Sequence, residues 1–257
     1  MGFSATWLAL REPADHAARD DGLLTAAADA AGPSPVIVDL GSGTGSTLRA
    51  FAPVLNNAAA WRLVDSDPAL LAQAASSAGR DVTLHDLDLR TLDALPLQGA
   101  SLVTASALLD LCSRDWLVRL AARLKDQSVA FYAALNYDGV MTWSSPDDDD
   151  AAITAAFNSH QRGDKGFGPA LGPDCARIAA EVFAQAGFRV TEADSPWVLG
   201  PDQAELQRQL CDGIANAAAE TGVTTAAQWA ARRHALVGDG HCHIGHRDLL
   251  ALPPGYA

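Results

Sequence analysis

The chain is short of basic residues. Eighteen Lys and Arg stand against thirty-one Asp and Glu in 257 residues, a formal charge of −13 with a pI near 4.7. That balance argues against a nucleic acid or an anionic membrane as partner. Long apolar runs are missing too: no segment approaches the roughly 20 apolar residues of a membrane span. No secretory leader is recognisable at the amino terminus, so a cytoplasmic protein is expected. The four cysteines, Cys112, Cys175, Cys211 and Cys242, lack any paired spacing, which predicts reduced thiols in a cytosolic protein. His241-Cys242-His243 with His234 and His246 is the nearest approach to a metal set. The segment alternates like a strand, however, and sends Cys242 to the opposite face from its neighbours, so no metal is expected. Met1-Gly2-Phe3-Ser4-Ala5-Thr6 fits a myristoylation pattern, with no basic patch after it.

What the chain does have is 49% hydrophobic residues, enough core for one large domain with a cap. Its most informative stretch is "VIVDLGSGTGSTLRAF", Val36 to Phe51. Val36-Ile37-Val38 has the β-branched, two-sided apolar character of a central parallel strand. Glycines 41, 43 and 45 permit a tight turn and a close backbone approach to a ligand. Ser46 and Thr47 can open a helix whose free N–H groups favour a polar or anionic ligand. A ligand is therefore expected at the carboxyl edge of the first strand of an open α/β sheet. The dinucleotide fingerprint places its third glycine one residue later, and a Tyr-x-x-x-Lys oxidoreductase pair is missing as well.

The rest of the chain keeps an α/β beat. Residues 1–34 read as a helical lead-in with a Pro break. "WRLVD" ends a second strand at Asp65, with a helix from Pro68. "DVTLHDLDL" is a third strand ending in Asp86 and Asp88, and "ASLVTASALLDL" a fourth. "SRDWLVRLAARLK" is an amphipathic helix capped by Ser113, and "SVAFYAALNY" a fifth strand. A helix at about 174–186, the strand "FRVTEAD" and a closing strand at about 242–252 complete the set. The beat is interrupted at 138–172 and 200–238, both after strand carboxyl ends, where a cap over a site would grow. The Asp147–Asp150 run reads as a solvated helix N-terminus.

In order and spacing, these elements resemble the class I S-adenosylmethionine-dependent methyltransferases over roughly residues 35–195 plus the last strand. "VDLGSGTG" is similar to that family's first motif. The resemblance implies that Asp39, Gly41, Gly43 and Gly45 border the methionine part of S-adenosyl-L-methionine, with S-adenosyl-L-homocysteine as product. It implies that Asp65, with Ser66 beside it, takes the ribose hydroxyls, a bidentate task suited to a carboxylate. Asp88 and Leu89 would read adenine, Asp86 being the alternative acid, and Ser106 would lie near the amino acid end. Arg11 and Arg19 are candidates to clamp the cofactor carboxylate, since Arg matches its two oxygens. The implied fold is one α/β domain over 1–257, a doubly wound, mostly parallel, Rossmann-like sheet of seven strands. Its last strand would be antiparallel, with the lead-in 1–34 and helical cap insertions at 138–172 and 200–238.

One departure bears on the acceptor. Methyltransferases of exocyclic base amines carry Asn or Asp followed by Pro-Pro-aromatic after the fourth strand, where this chain has "TASALLDL". With the acidic charge, that points to a small-molecule acceptor, expected to be neutral, cationic or zwitterionic. Asn136, Tyr137 and His160 are the candidate catalytic residues, with Trp143, Asp164 and Trp197 as further contacts. His160 and Asp164 would share a face if helical, orienting an imidazole as general base. Trp143, His160, Trp229 and His234 are expected to wall a pocket closed by the two insertions. The alternative placement puts the insertions at a homodimer interface. Rival activities on the same fold are aminopropyl transfer, for which "ALNYDGVMTW" offers only Asp138 as an acid, and cofactor binding without catalysis.

Overall fold

The computed structural model describes residues 3–55 and 58–256; Met1 and Gly2 of the myristoylation-like hexapeptide lie outside them. Two helices, α1 (Ala5–Ala18) and α2 (Asp21–Ala31), precede β1 (Val36–Leu40), α3 (Ser46–Phe51), β2 (Ala60–Asp65), α4 (Pro68–Ser77) and β3 (Val82–Asp86). Then follow β4 (Leu102–Ser106), α5 (Arg114–Asp126), β5 (Ala130–Trp143), α6 (Asp150–Gln161), α7 (Cys175–Gln185) and β6 (Arg189–Asp194). The chain closes with β7 (Trp197–Leu199), α8 (Ala204–Glu220), α9 (Ala226–Leu236) and β8 (Cys242–Leu252). Seven strands run β3-β2-β1-β4-β5-β8-β6, and short β7 adds an eighth against β8. Pairing is parallel from β3 to β5, and β8 is antiparallel to β5, β6 and β7.

This is the doubly wound, mostly parallel sheet expected of the sequence, with three local differences. Pro13 does not break the lead-in: α1 continues through it. The proline is exposed, and the Arg11–Asp15 pair, with a guanidinium-to-carboxylate distance of 2.8 Å, spans it one helical turn apart. The break falls instead at Arg19–Asp20, where the Asp20 carboxylate accepts from Leu23 N (2.7 Å) and caps α2. The third strand stops at Asp86, leaving Asp88 in the turn beyond. The fifth runs on to Trp143, because β8 extends the pairing as far as Cys242.

The two faces of the sheet bury separate clusters, one built on Val38, Leu40, Val103 and Phe131, the other on Ile37, Leu63, Leu102 and Tyr132. That division follows from strand alternation. A third cluster joins α6, α8, α9, distal β5 and β7 to α1, through Ile153, Trp197, Leu206, Ile214 and Trp229. The acidic run at the start of α6 is a clamp as well as a helix start. Asp147 and Asp149 hold Arg232, and Asp150 holds buried Arg233, both on α9.

Between β5 and β8 the register shifts after Ala133. Leu135 takes a left-handed φ of +56° there, a conformation costing about 1–2 kcal/mol for a non-glycine residue. Asp248, wholly buried, holds the bulge: Oδ1 accepts from Leu135 N at 2.8 Å. Its Oδ2 accepts from Tyr132 Oη at 3.0 Å and from Asp20 N at 3.1 Å. Asp248→Ala would leave three donors without their acceptor, two of them backbone. At about 1–3 kcal/mol for each buried donor left unpaired, a loss of about 3 kcal/mol or more is expected in urea unfolding. A loss under 1 kcal/mol would remove Asp248 from this role.

Candidate cofactor and acceptor site

The spacing of the glycines after β1 has a backbone cause. Gly41, Gly43 and Gly45 have φ of +64°, +51° and +83°, so every second residue lies in the left-handed region that glycine enters without penalty. The turn is tied to β2 by Ser42 N donating to the Val64 carbonyl (3.0 Å) and Gly43 N to Asp65 Oδ2 (2.8 Å). Helix α1 lies over it: a Cβ on Gly43 would stand 3.1 Å from Leu8 Cδ1. Two polar ties fix that closeness. Arg49 binds Glu12 of α1 (2.5 Å) and the Thr44 carbonyl (2.7 Å), and His16 Nε2 donates to the Ser46 carbonyl (3.1 Å).

A cavity of about 440 Å³ opens along this loop. Gly41 and Gly43 border it, as do Asp65, Ser66, Asp88, Leu89 and Ser106. Of the two acids considered at the third strand, Asp88 lines the cavity and Asp86 does not. Asp88 forks with exposed Arg90, which donates through Nε at 2.7 Å. Leu89 is buried, and its carbonyl accepts from Trp116 Nε1 at 2.8 Å. Asp65 has its oxygens on Gly43 N and Asp67 N (3.0 Å), with lone pairs left over, since a carboxylate accepts about four bonds. Gly45 does not reach the cavity; its backbone starts α3.

Behind the loop lies an unfinished polar layer. Asp39 is buried, and its Oδ1 accepts from Thr104 Oγ1 at 2.7 Å, while Oδ2 has no partner. Burial pushes the Asp39 carboxyl up to about 7, against the opposing Thr104 hydrogen bond and Arg19 charge. Arg19, also buried, donates from Nη2 to Ser106 Oγ at 2.9 Å, leaving Nε and Nη1 unpaired. Ser42 Oγ is unpaired as well. Buried donors and acceptors of this kind ordinarily find partners. Their concentration around the glycine turn suits a ligand with an amino acid end.

The expected acceptor residues are elsewhere. Asn136 is wholly buried and stitches the β5–β8 bulge, donating to the carbonyls of Ala133 (3.1 Å) and Arg247 (2.9 Å). Tyr137 donates to Asn158 Oδ1 at 2.8 Å, and its phenol is pushed above its ordinary pKa by burial. His160 pairs with Glu220 at 2.9 Å, outside the cavity lining. Asp164 does not share its helical face, because α6 ends at Gln161. Trp143 and Trp229 pack edge-on at 5.3 Å under Arg233, Trp197 donates to Asp15 at 3.0 Å, and His234 pairs with Asp212. These aromatic groups have their partners in the third core cluster, so none faces the cavity. The second insertion contributes nothing to the lining; the first contributes only Lys165, Gly166 and Phe167.

Instead the roof is α1, through Leu8, Arg11 and Asp15. Arg11 was a sequence candidate; Asp15, Arg90, Lys165 and Phe167 were not. For Lys165 the available signal was a cation inside a glycine-rich stretch that follows a strand carboxyl end. Among the described residues, no group of three or more His, Cys, Asp or Glu side chains is placed to hold a metal. No helix among the described residues is long and apolar enough to cross a membrane.

Sheet order, glycine turn and cavity together define the class I methyltransferase architecture. Residues 37–127, from β1 to the end of α5, match the family model described as methyltransferase domain. The matched segment carries the glycine turn together with Asp65, Asp88, Leu89 and Ser106 of the cavity lining. Solved structures share the fold at low identity. A cyclopropane-fatty-acyl-phospholipid synthase-like protein from Lactobacillus casei aligns with TM-score 0.57 and 13% identity, over 98% of this chain and 95% of its own. The cyclopropane synthase MmaA2 from Mycobacterium tuberculosis gives 0.54 and 14%, over 97% and 94%. The YcgJ protein from Bacillus subtilis gives 0.54 and 15%, over 91% and 98%. No curated protein matches the sequence significantly.

The raised Asp39 carboxyl has a consequence for stability. In the unfolded chain it titrates near 3.9, so between about pH 4 and 7 only the folded state holds this proton. Its contribution is full below pH 4 and fades as pH rises through 7. Without added cofactor, Asp39→Asn is expected to gain stability over the parent at pH 8 and little or nothing at pH 4.5. Urea midpoints at the two pH values check this; equal differences would place the proton elsewhere.

Proposed function

We propose that the protein transfers the methyl group of S-adenosyl-L-methionine to a small-molecule acceptor held in the same cavity. One observation carries the reading: the compartment beside the glycine turn is roofed by α1 and by Lys165–Phe167, so an acceptor has to fit beneath them. In this reading Asp65 and Ser66 take the ribose, Asp88 and Leu89 the adenine. The turn at Gly41–Gly45, with Asp39, Ser106 and Arg19, takes the amino acid end, where the unpaired Arg19 N–H groups suit a carboxylate. When bound, the cofactor supplies a methyl group already activated by its sulfonium. The chain then has to align an acceptor atom with that carbon and keep water out. Leu8, Leu108 and Phe167 supply apolar walls for the second task. Residues 138–172 act as part of the cap, and 200–238 as its support. The acidic surface and the lack of a spanning helix favour a cytoplasmic setting, without nucleic acid or membrane as substrate.

Titration calorimetry with S-adenosyl-L-homocysteine and with NAD separates this reading from a dinucleotide enzyme, with tighter binding of the former expected. Asp65→Ala should weaken S-adenosyl-L-homocysteine by about 1–3 kcal/mol, the range for losing a charged hydrogen-bond partner. Because Asp65 also ties the turn, circular dichroism and an Asp65→Asn variant accompany the measurement. Unchanged affinity in folded Asp65→Ala, or tighter binding of NAD, counts against the assignment.

A further inference from the structure

The chain has two lysines, Lys125 and Lys165, and Lys165 lines the cavity. It sits on a loop after α6 whose shape is set by Asp164. Oδ1 of that residue accepts from Gly166 N (2.7 Å) and Gly168 N (3.1 Å), and its backbone bridges to Pro169. Two residues on, Phe167 packs edge-on against Trp116, centroids 5.8 Å apart. The base of the lysine is therefore fixed. At the tip, Nζ donates to His160 Nδ1 (3.3 Å), and His160 Nε2 lies 2.9 Å from Glu220 Oε2. The two contacts agree on one tautomer: Nδ1 accepts from the ammonium, and Nε2–H donates to the carboxylate. A chain of polar contacts thus runs from the end of α8 through α6 to the cavity.

Three cationic residues line the cavity: Arg11, Arg90 and Lys165. Arg11 is gripped by both oxygens of Asp15 (2.8 and 3.0 Å) and lies 4.8 Å over the Trp197 ring. Arg90 is gripped by Asp88. Lys165 has no carboxylate partner among the described residues; its hydrogen bond is to a neutral imidazole nitrogen. Asp110, in the turn after β4, shares its field, but burial raises the Asp110 carboxyl above its ordinary value despite Arg11 and Lys165. Asp110 Oδ1 has no hydrogen-bond partner. No ion pair joins Asp110 to Lys165 among the described residues, and the ammonium's hydrogen bond goes to His160. Two of the ammonium's three N–H bonds remain free, in a compartment walled by Leu8, Leu111 and Phe167.

We infer that the acceptor is a small apolar molecule bearing a carboxylate, and that Lys165 receives that carboxylate, with His160 and Glu220 as positioning residues. One uncompensated ammonium matches a monoanion, whereas a phosphate dianion would need a fork or a second free cation. The inference rests on the proposed reading that methyl donor and acceptor share the cavity. It departs from the neutral and cationic parts of the expectation drawn from net charge, which was of a neutral, cationic or zwitterionic acceptor. That expectation took the whole surface as a guide, whereas Lys165 offers the cavity a cation that no carboxylate pairs with among the described residues.

The test loads the protein with S-adenosyl-L-homocysteine and titrates it, by calorimetry and ligand-observed NMR, with benzoate, phenylacetate and hexanoate. Their amides and phenyl phosphate serve as controls. At least one acid is expected to bind at least about tenfold tighter than its amide, the scale of one charge-assisted hydrogen bond. Lys165→Ala should bring that acid to the level of its amide while S-adenosyl-L-homocysteine affinity stays within about threefold. His160→Leu should weaken the acid, and His160→Gln, which can still accept from Lys165 and donate to Glu220, should restore it. Acid and amide binding alike, phenyl phosphate binding tighter, or an acid indifferent to Lys165→Ala would overturn the inference. So would S-adenosyl-L-homocysteine binding with none of the acids following. Failure of S-adenosyl-L-homocysteine itself to bind would instead strike the reading beneath it.

Discussion

Asp248 is the point from which the site can be reconstructed. It is a buried carboxylate on β8, which runs antiparallel to its neighbours, and its oxygens accept from Leu135 N on β5, the Tyr132 phenol and Asp20 N before α2. Each contact places something. The first holds the left-handed residue at which β5 shifts register, letting the strand run on toward the insertions. The last fixes the junction of the two lead-in helices against the middle of the sheet. One residue earlier, Arg19 reaches Ser106 at the end of β4, so α1 leaves the junction across the carboxyl edge of β1. Glu12–Arg49 and His16–Ser46 then close it onto the glycine turn. The roof of the cavity is a consequence of one buried acid and two short polar ties.

The parts of this arrangement that were legible in the sequence are those whose cause is local. The glycine spacing could be read because each glycine satisfies a requirement of its own φ, with no distant partner involved. Pro68 announced a helix start for the same reason, and α4 begins there, capped by Asp67. The succession of strands and helices along the chain followed from the alternation of apolar runs with helical segments, while the sheet they form came from the family resemblance. What was not legible depended on partners far along the chain. Pro13 looks like a stop until Arg11 and Asp15 span it. Trp143 and Trp229, 86 positions apart, look like pocket walls until they are found edge to edge beneath Arg233. Asn136 looks catalytic at the end of a strand, and is occupied by two carbonyls because the strand does not end there.

His160 stands apart from the partner that its sequence neighbourhood suggested. Its place in a cap insertion, near an acid and a glycine-rich stretch, pointed to a general base paired with Asp164. The acid beside it turned out to shape a loop, and its carboxylate partner is Glu220 from the other insertion. That pairing is compatible with a half-buried imidazole that holds a neighbour still, and His160 lies outside the cavity lining. It also gives the second insertion, which touches no part of the cavity, a route of influence over it: α8 sets Glu220, Glu220 sets His160, and His160 sets the lysine.

Charge bears differently on the surface and on the cavity. Many of the arginines pair with acids at element junctions, Arg49 with Glu12, Arg232 with Asp147 and Asp149, Arg162 with Asp174. Where such a pair is exposed it adds little stability, but it orients a helix and removes both charges from consideration at the site. Net charge then describes the solvated exterior, which steers encounter. Recognition inside the cavity is decided by whichever charges are left unpaired there. Arg11 and Arg90 are spoken for by neighbouring acids, and Asp110 is discouraged from ionising by its burial. Beside Leu8, Leu111 and Phe167 what remains is the Lys165 ammonium, in apolar surroundings where the effective dielectric is lower than at the surface.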